Sequence, residues 1–267
     1  MADGASVTAA DYGQSPELLH DLSLNELYAI PAKEVEDIQL KALNTRFKDL
    51  VGKVPMLGRL AEEQKITGLE KIEDAAPLLF PHSHYKSYSI SVLESGRFDK
   101  LTKWLSGLTS VDLSKLDLTG VDTIDGWVDA LDAQTDVRVI HSSGTTGKLS
   151  FIPRTLLENK RAAKGFQRAY EGFGDEPNAP LVGLKDCPYI VPTYRRGAMG
   201  LSRNLQNLVK NLYDGNEEMV RTLSDGRMSA DMLSLAGRIR VAESKGDAGR
   251  LQISPALLAR REEFLKE

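Results

Sequence analysis

The stretch VRVIHSSGTTGKLSFIPRT, Val137 to Thr155, decides how this chain is read. Val137, Val139 and Ile140 form a β-branched run, and Leu149–Pro153 is apolar and β-prone again. Between them lies Ser142-Ser143-Gly144-Thr145-Thr146-Gly147-Lys148, a segment of hydroxyls and glycines closed by one lysine. The pattern predicts strands at 136–140 and 149–152 with 142–148 as the turn between them. Thr155 followed three residues later by Glu158 is a capping box, so a helix is expected from there to about Phe173. The local order is strand, glycine loop, short strand, helix.

That loop carries what a triphosphate needs. Glycine lets backbone amides turn toward an anion with no Cβ in the way. Hydroxyls add neutral donors, and Lys148 adds a point charge for phosphate oxygens. Two other readings of the segment stand beside this one. The phosphate loop of nucleoside triphosphatases, GxxxxGK[ST], would put Ser142 at its first glycine and Leu149 at its magnesium-binding hydroxyl, so two of its fixed positions fail. It also runs straight into a helix, which the β-prone Leu149–Pro153 opposes. The plainer alternative is a hairpin turn that binds nothing.

Upstream, the patterns are helical. Residues 1–14 are small and polar and are expected to be disordered. Ser15-Pro16-Glu17 reads as a helix start. Val35, Ile38, Ala42, Leu43, Phe47 and Leu50 recur at helical spacing, and a helix is expected from Pro55 to about Gln64. Asp74–Tyr88 reads as a buried connection, and helices are predicted over 91–105 and 123–133. Downstream, Tyr189–Tyr194 is a strand candidate, and helices are expected over 202–213 and 229–243. Met232, Leu233, Leu235, Ala236 and Ile239 form the apolar side of the latter. Ser254-Pro255 opens a helical pattern still running at Glu267, from which a longer protein is expected, with this chain as its front part. The expected class is α/β, divided into a disordered segment 1–14, a mainly helical part 15–135 and an α/β nucleotide-binding part 136–267.

Composition sets outer bounds. Apolar residues at 41% and charged residues at 27% of 267 match an ordinary globular chain able to bury a core. A net charge of −4 gives no general attraction to nucleic acid or anionic membrane, so neither is expected as a partner. With one cysteine and four histidines, no cysteine-based zinc cluster can form and no metal site is read from the sequence. The first thirty residues carry no secretory pattern and no stretch has the length of a membrane span, so a cytoplasmic setting is the default expectation.

The segment SSGTTGK followed by a β-prone run resembles the phosphate loop of the adenylate-forming, acyl-activating superfamily, above all its phenylacetate–CoA ligase and acyl-protein synthetase branch. There, as here, lysine follows the last glycine directly. The common superfamily form instead has proline and lysine where this chain has Leu149 and Ser150. The resemblance is close only over 136–155. Upstream, Pro81-His82-Ser83-His84-Tyr85-Lys86 loosely echoes a Pro-x-Thr-x-Lys segment of that branch. The resemblance assigns Ser142, Ser143, Gly144, Thr145, Thr146, Gly147 and Lys148 to ATP, with Lys148 as the catalytic charge. The implied fold is a helical part followed by an incomplete adenylate-forming N-terminal domain. The implied activity is formation of an acyl-adenylate from a carboxylic acid, then transfer to a thiol such as coenzyme A or a protein cysteine. In that family, later segments supply a Tyr-Gly-x-Thr-Glu strand for Mg2+, an aspartate for ribose and a lysine in a mobile domain. No Tyr-Gly-x-Thr-Glu occurs in these 267 residues, so the chain alone is expected to be inactive. The competing reading is a regulatory or nucleotide-binding module that keeps only the loop.

Other residues have weaker claims. Arg195 and Arg196 read either as anion-binding or as a solvated basic loop. Arg154 is near enough in sequence to assist at phosphate. His82 and His84 read as loop residues rather than metal ligands. His141 is either a nucleotide contact or a strand-end residue. Cys187 reads as a buried structural thiol, and Tyr85, Tyr88, Trp104 and Trp127 as core aromatics.

Overall fold

A computed structural model of the chain describes residues 9–145, 147–171 and 187–246, with 253, 258, 261 and 262 beyond them. The last predicted helix, from Ser254, lies largely outside the described residues. The chain divides into two compact units. The first comprises 1–79, 107–110 and 160–186, and the second 80–106, 111–159 and 187–267. Helix and strand are mixed, with two small sheets, an α/β protein in the general sense. No helix among the described residues is long and apolar enough to cross a membrane.

In the first unit, α1 (Ala9–Gln14), α2 (Leu24–Ala29), α3 (Ala32–Leu50) and α4 (Pro55–Gln64) are joined by short turns. Residues 9–14 are helical, not disordered as expected; Tyr12 is buried, and Gly13 passes so close to α3 that a Cβ there would sit 2.8 Å from the Lys41 Cβ. The Ser15-Pro16 start yields a 3-10 helix (Pro16–Asp21) in which Ser15 makes no side-chain cap. α4 begins with Pro55 at its first turn, as read, and ends on Lys65 in the left-handed region. Phe47, Ala61, Leu69 and Leu78 form this unit's core. Asn44 ties it together, its side chain donating to the Leu69 carbonyl at 2.7 Å and accepting from the Leu69 amide at 2.9 Å.

The expected buried connection over 74–88 is instead largely exposed or half-buried. Only Leu78 and Tyr88 are buried, and two 3-10 turns replace an extended path because Pro77 and Pro81 break any longer element.

In the second unit, the helix predicted over 91–105 is two: α5 (Ile90–Glu94) and α6 (Phe98–Leu105). Gly96, at φ 62°, makes the break between them. α7 (Ile124–Gln134) starts from Thr123, whose side chain accepts from the Gly126 amide. β1 (Val137–His141) and β2 (Phe151–Thr155) pair antiparallel, Val137 opposite Thr155 and His141 opposite Phe151. α8 (Leu156–Glu171), whose residues from 160 onward belong to the first unit, follows through the expected box: Thr155 Oγ1 accepts from the Glu158 amide, and Glu158 accepts from the Thr155 amide. β3 (Tyr189–Arg196), α9 (Gly200–Asn211), β4 (Val220–Arg227) and α10 (Ala230–Ser244) complete it. β4 was not foreseen. It pairs parallel with β3, and α9 makes the crossover that such pairing requires.

The core of this unit gathers α6, α7 and the hairpin around Trp127, which is fully buried. Its ring meets Phe151 edge-on at 5.3 Å and stacks on Phe98 at 6.5 Å, and its indole N–H donates to Thr102 Oγ1 at 2.9 Å. Tyr88 is buried as well; Tyr85 and Trp104 are half-buried. Charge is also built in. Arg203 of α9, 8% exposed, donates from both terminal nitrogens to Asp132 of α7 at 2.6 and 3.0 Å, joining the two helices. The N-termini of α7 and α10 cap each other: Asp231 accepts from the Ile124 and Asp125 amides, and Asp125 accepts from the Ala230 amide. Two carboxylates here answer two positive helix ends. Burial pushes the Asp231 carboxyl up to about 6, its two amide donors opposing the shift and neighbouring Asp125 adding to it.

Candidate functional site: the glycine loop

The hairpin carries the loop as the sequence suggested, with a shift in its second strand. β2 begins at Phe151 rather than Leu149 and runs through Pro153 to Thr155. Leu149 instead turns fully into the core, where its carbonyl accepts from the Tyr88 hydroxyl at 2.8 Å. The neck is closed by Ser142, whose amide donates to the Ser150 carbonyl at 3.1 Å and whose Oγ accepts from the Ser150 amide at 2.9 Å. A strand, not a helix, follows Lys148, which rules out the nucleoside-triphosphatase geometry for this segment.

Both loop glycines have positive φ, 67° at Gly144 and 83° at Gly147, and the Gly147 amide donates to the Gly144 carbonyl at 2.8 Å. Their other reason for being glycine is α10. Gly237 of that helix faces the loop, and a methyl there would overlap the Gly144 carbonyl oxygen and press on its carbon at 3.2 Å and on Gly147 Cα at 3.3 Å. A Cβ on Gly147 would meet Val241 Cγ2 at 2.8 Å. Leu233, Gly237 and Val241 recur every four residues and so share one helix face, which seats the loop. The sequence reading missed this support, although a glycine inside a helix costs about 1 kcal/mol relative to alanine and was itself the signal.

Ser143 and Thr145 are exposed, and no described residue takes the amide of either. Thr146 lies outside the described residues. Lys148 is half-buried rather than solvated. Its Nζ donates to the Tyr88 carbonyl and sits 4.3 Å from the centre of the Tyr88 ring. Burial, with Lys86 nearby, holds its pKa below the usual lysine value. Lys86 belongs to the 81–86 segment that echoed the family's upstream motif, so the fold brings that segment's lysine close to the loop's.

The remaining candidates separate from the site. Arg154 pairs opposite Arg138, three residues beyond Phe151, and at about 3.3 Å per residue β2 carries it away from the loop. Arg195 is fastened to the approach to β4, donating to the Val220 and Glu217 carbonyls with Glu217 and Asp225 near by. Arg196 is exposed. His84 opens a 3-10 turn (His84–Lys86) and His82 precedes it, and no metal-holding group of His, Cys, Asp or Glu exists among the described residues. His141 is 2% exposed; its Nδ1 lies 3.0 Å from the Ser142 carbonyl, Nε2 has no partner among the described residues, and burial lowers its pKa. It is a strand-end core residue. Cys187 is exposed, not buried as expected, since it precedes β3 rather than lying within it.

Comparison with family models, curated proteins and solved structures found no match to this chain.

Proposed function

We propose that the loop Ser142–Lys148 is the triphosphate cradle of an ATP-dependent acyl-activating ligase, of which these residues form the N-terminal portion. What carries the reading is a hydroxyl-rich loop between two paired strands, with Ser143 and Thr145 exposed and their amides without a partner among the described residues. Those amides and hydroxyls donate to the β- and γ-phosphates. Ser142 holds the neck, and Gly144 and Gly147 supply the backbone path. Lys148 exchanges the Tyr88 carbonyl for a phosphate oxygen, a stronger, charge-assisted partner. Lys86 adds positive potential beside it.

A substrate carboxylate oxygen then attacks the α-phosphorus, the bond to the bridging oxygen breaks, and pyrophosphate leaves with the charge that Lys148 neutralises. A thiol, of coenzyme A or of a protein, next attacks the acyl carbon and AMP departs. Mg2+, held in the resembled family by a later Tyr-Gly-x-Thr-Glu strand, would share in neutralising the phosphate charge; among the described residues no group of His, Cys, Asp or Glu could hold it. Residues 1–267 alone are expected to bind ATP modestly, in a salt-sensitive way, and to release no pyrophosphate.

The test is Lys148→Ala in the complete ligase. Losing one electrostatic contact to the departing pyrophosphate is expected to slow carboxylate-dependent pyrophosphate exchange roughly ten- to a thousandfold. Transfer from supplied acyl-adenylate to thiol should survive, because pyrophosphate has already left. The Tyr88 contact makes Lys148 more than a surface residue, so a stability loss of about 1 kcal/mol is expected alongside. Equal losses in both half-reactions would make Lys148 a structural residue.

A further inference from the structure

Parallel strands are ordinarily covered on both faces. Among the described residues β3 and β4 are covered on one only, by α9, whose Leu205 and Leu208 are buried with Val220. The opposite face carries Ile190 and Pro192 on β3, and Arg221, Leu223 and Asp225 on β4, all exposed. Ile190 and Leu223 are 75% and 77% exposed, and Ile190 stands beside Arg221 in the register. Edge-on extension is opposed by Pro192, which lacks an amide donor, and by the two register shifts that bend the pair. The bare face is what remains to be satisfied.

Its charge pattern matches its own image. On β4, Arg221 and Asp225 flank Leu223 at two residues either side. A two-fold axis through Leu223, lying in the plane between two such faces and across the strands, sets Leu223 on Leu223, Arg221 over Asp225 and Asp225 over Arg221. Arg221 has no ion pair among the described residues, and Asp225 has only Arg195 at 3.7 Å, with its side chain 86% exposed. We infer that this face docks a second copy of the chain, stacked sheet on sheet in that antiparallel sense. A face of two short strands falls near the lower limit for a specific interface, so the dimer is weak and concentration-dependent.

Sedimentation equilibrium of the full chain is expected to show mass rising from one copy toward two with concentration. Arg221→Asp and Asp225→Arg each set like charges opposite one another, and each should weaken self-association about tenfold or more. An equimolar mixture of the two variants restores complementary pairs at both positions, so the mixture should recover association that neither variant shows alone. Leu223→Lys should abolish it. All three side chains are exposed, and unchanged melting curves will show that the fold is intact. A monomer at every concentration, association indifferent to the two charge reversals, or a mixture no better than its components would each overturn the inference.

Discussion

Gly237→Val is expected to destabilise the second unit by about 3 kcal/mol and to loosen the phosphate loop with it. The Cβ alone collides with the Gly144 carbonyl and crowds Gly147, and both neighbours are backbone, which cannot rotate aside as a side chain can. Overpacking of this kind costs about 1–3 kcal/mol, and valine's two γ-methyls add bulk to the clash that the Cβ of Gly237→Ala makes by itself. Alanine also regains about 1 kcal/mol of helix propensity, so its net effect is smaller. Ala236→Val is the control, since it adds the same branched bulk on the exposed side of α10 next door. If Gly237→Val melts with Ala236→Val, the loop is not seated on this helix.

Trp127→Ala is expected to cost about 3–5 kcal/mol, a large share of a domain's usual 5–15. The ring is fully buried between Phe98 and Phe151, so its removal opens a cavity that two rigid aromatics cannot fill. Thr102 Oγ1 loses its indole partner as well. Because Phe151 is the first residue of β2, the hairpin loosens from the loop end. Trp127→Phe should cost less, retaining the edge contact and losing the hydrogen bond. The substitution leaves Trp104 as the single tryptophan, set edge-on to Tyr88 at 5.0 Å in the same core. Urea unfolding followed by Trp104 fluorescence reads the loss directly. An unchanged midpoint would remove Trp127 from the centre of this core.

Features governed by short-range chemistry were legible in the sequence. β-branched residues on both sides of a glycine loop specified the hairpin, and the Thr155–Glu158 box placed the start of α8 to the residue. Pro55 and Thr123 marked helix starts for the same reason, since proline and a capping hydroxyl act within one turn. What escaped depends on distant partners. VRTLSDGR alternates without a strong apolar side and includes a glycine, so β4 becomes a strand only by pairing with β3. Lys148 reads as solvated until Tyr88, sixty residues earlier, is seen beneath it. Gly237 reads as a weak point in a helix until the loop is laid across it. The loop's place between two paired strands was readable, whereas which of its groups the hairpin itself uses was not. Ser142 spends its hydroxyl oxygen on the hairpin neck, while Ser143 and Thr145 remain available.

The most direct test of the phosphate assignment is an amide-resolved NMR titration of the chain with ATP, pyrophosphate and adenosine. The Ser143, Thr145, Gly147 and Lys148 amides should shift with ATP and with pyrophosphate, saturably and less at high salt, and should stay still with adenosine. Shifts confined to other segments, or a loop unmoved by either phosphate, would contradict the account and leave Ser142–Lys148 as a hairpin turn.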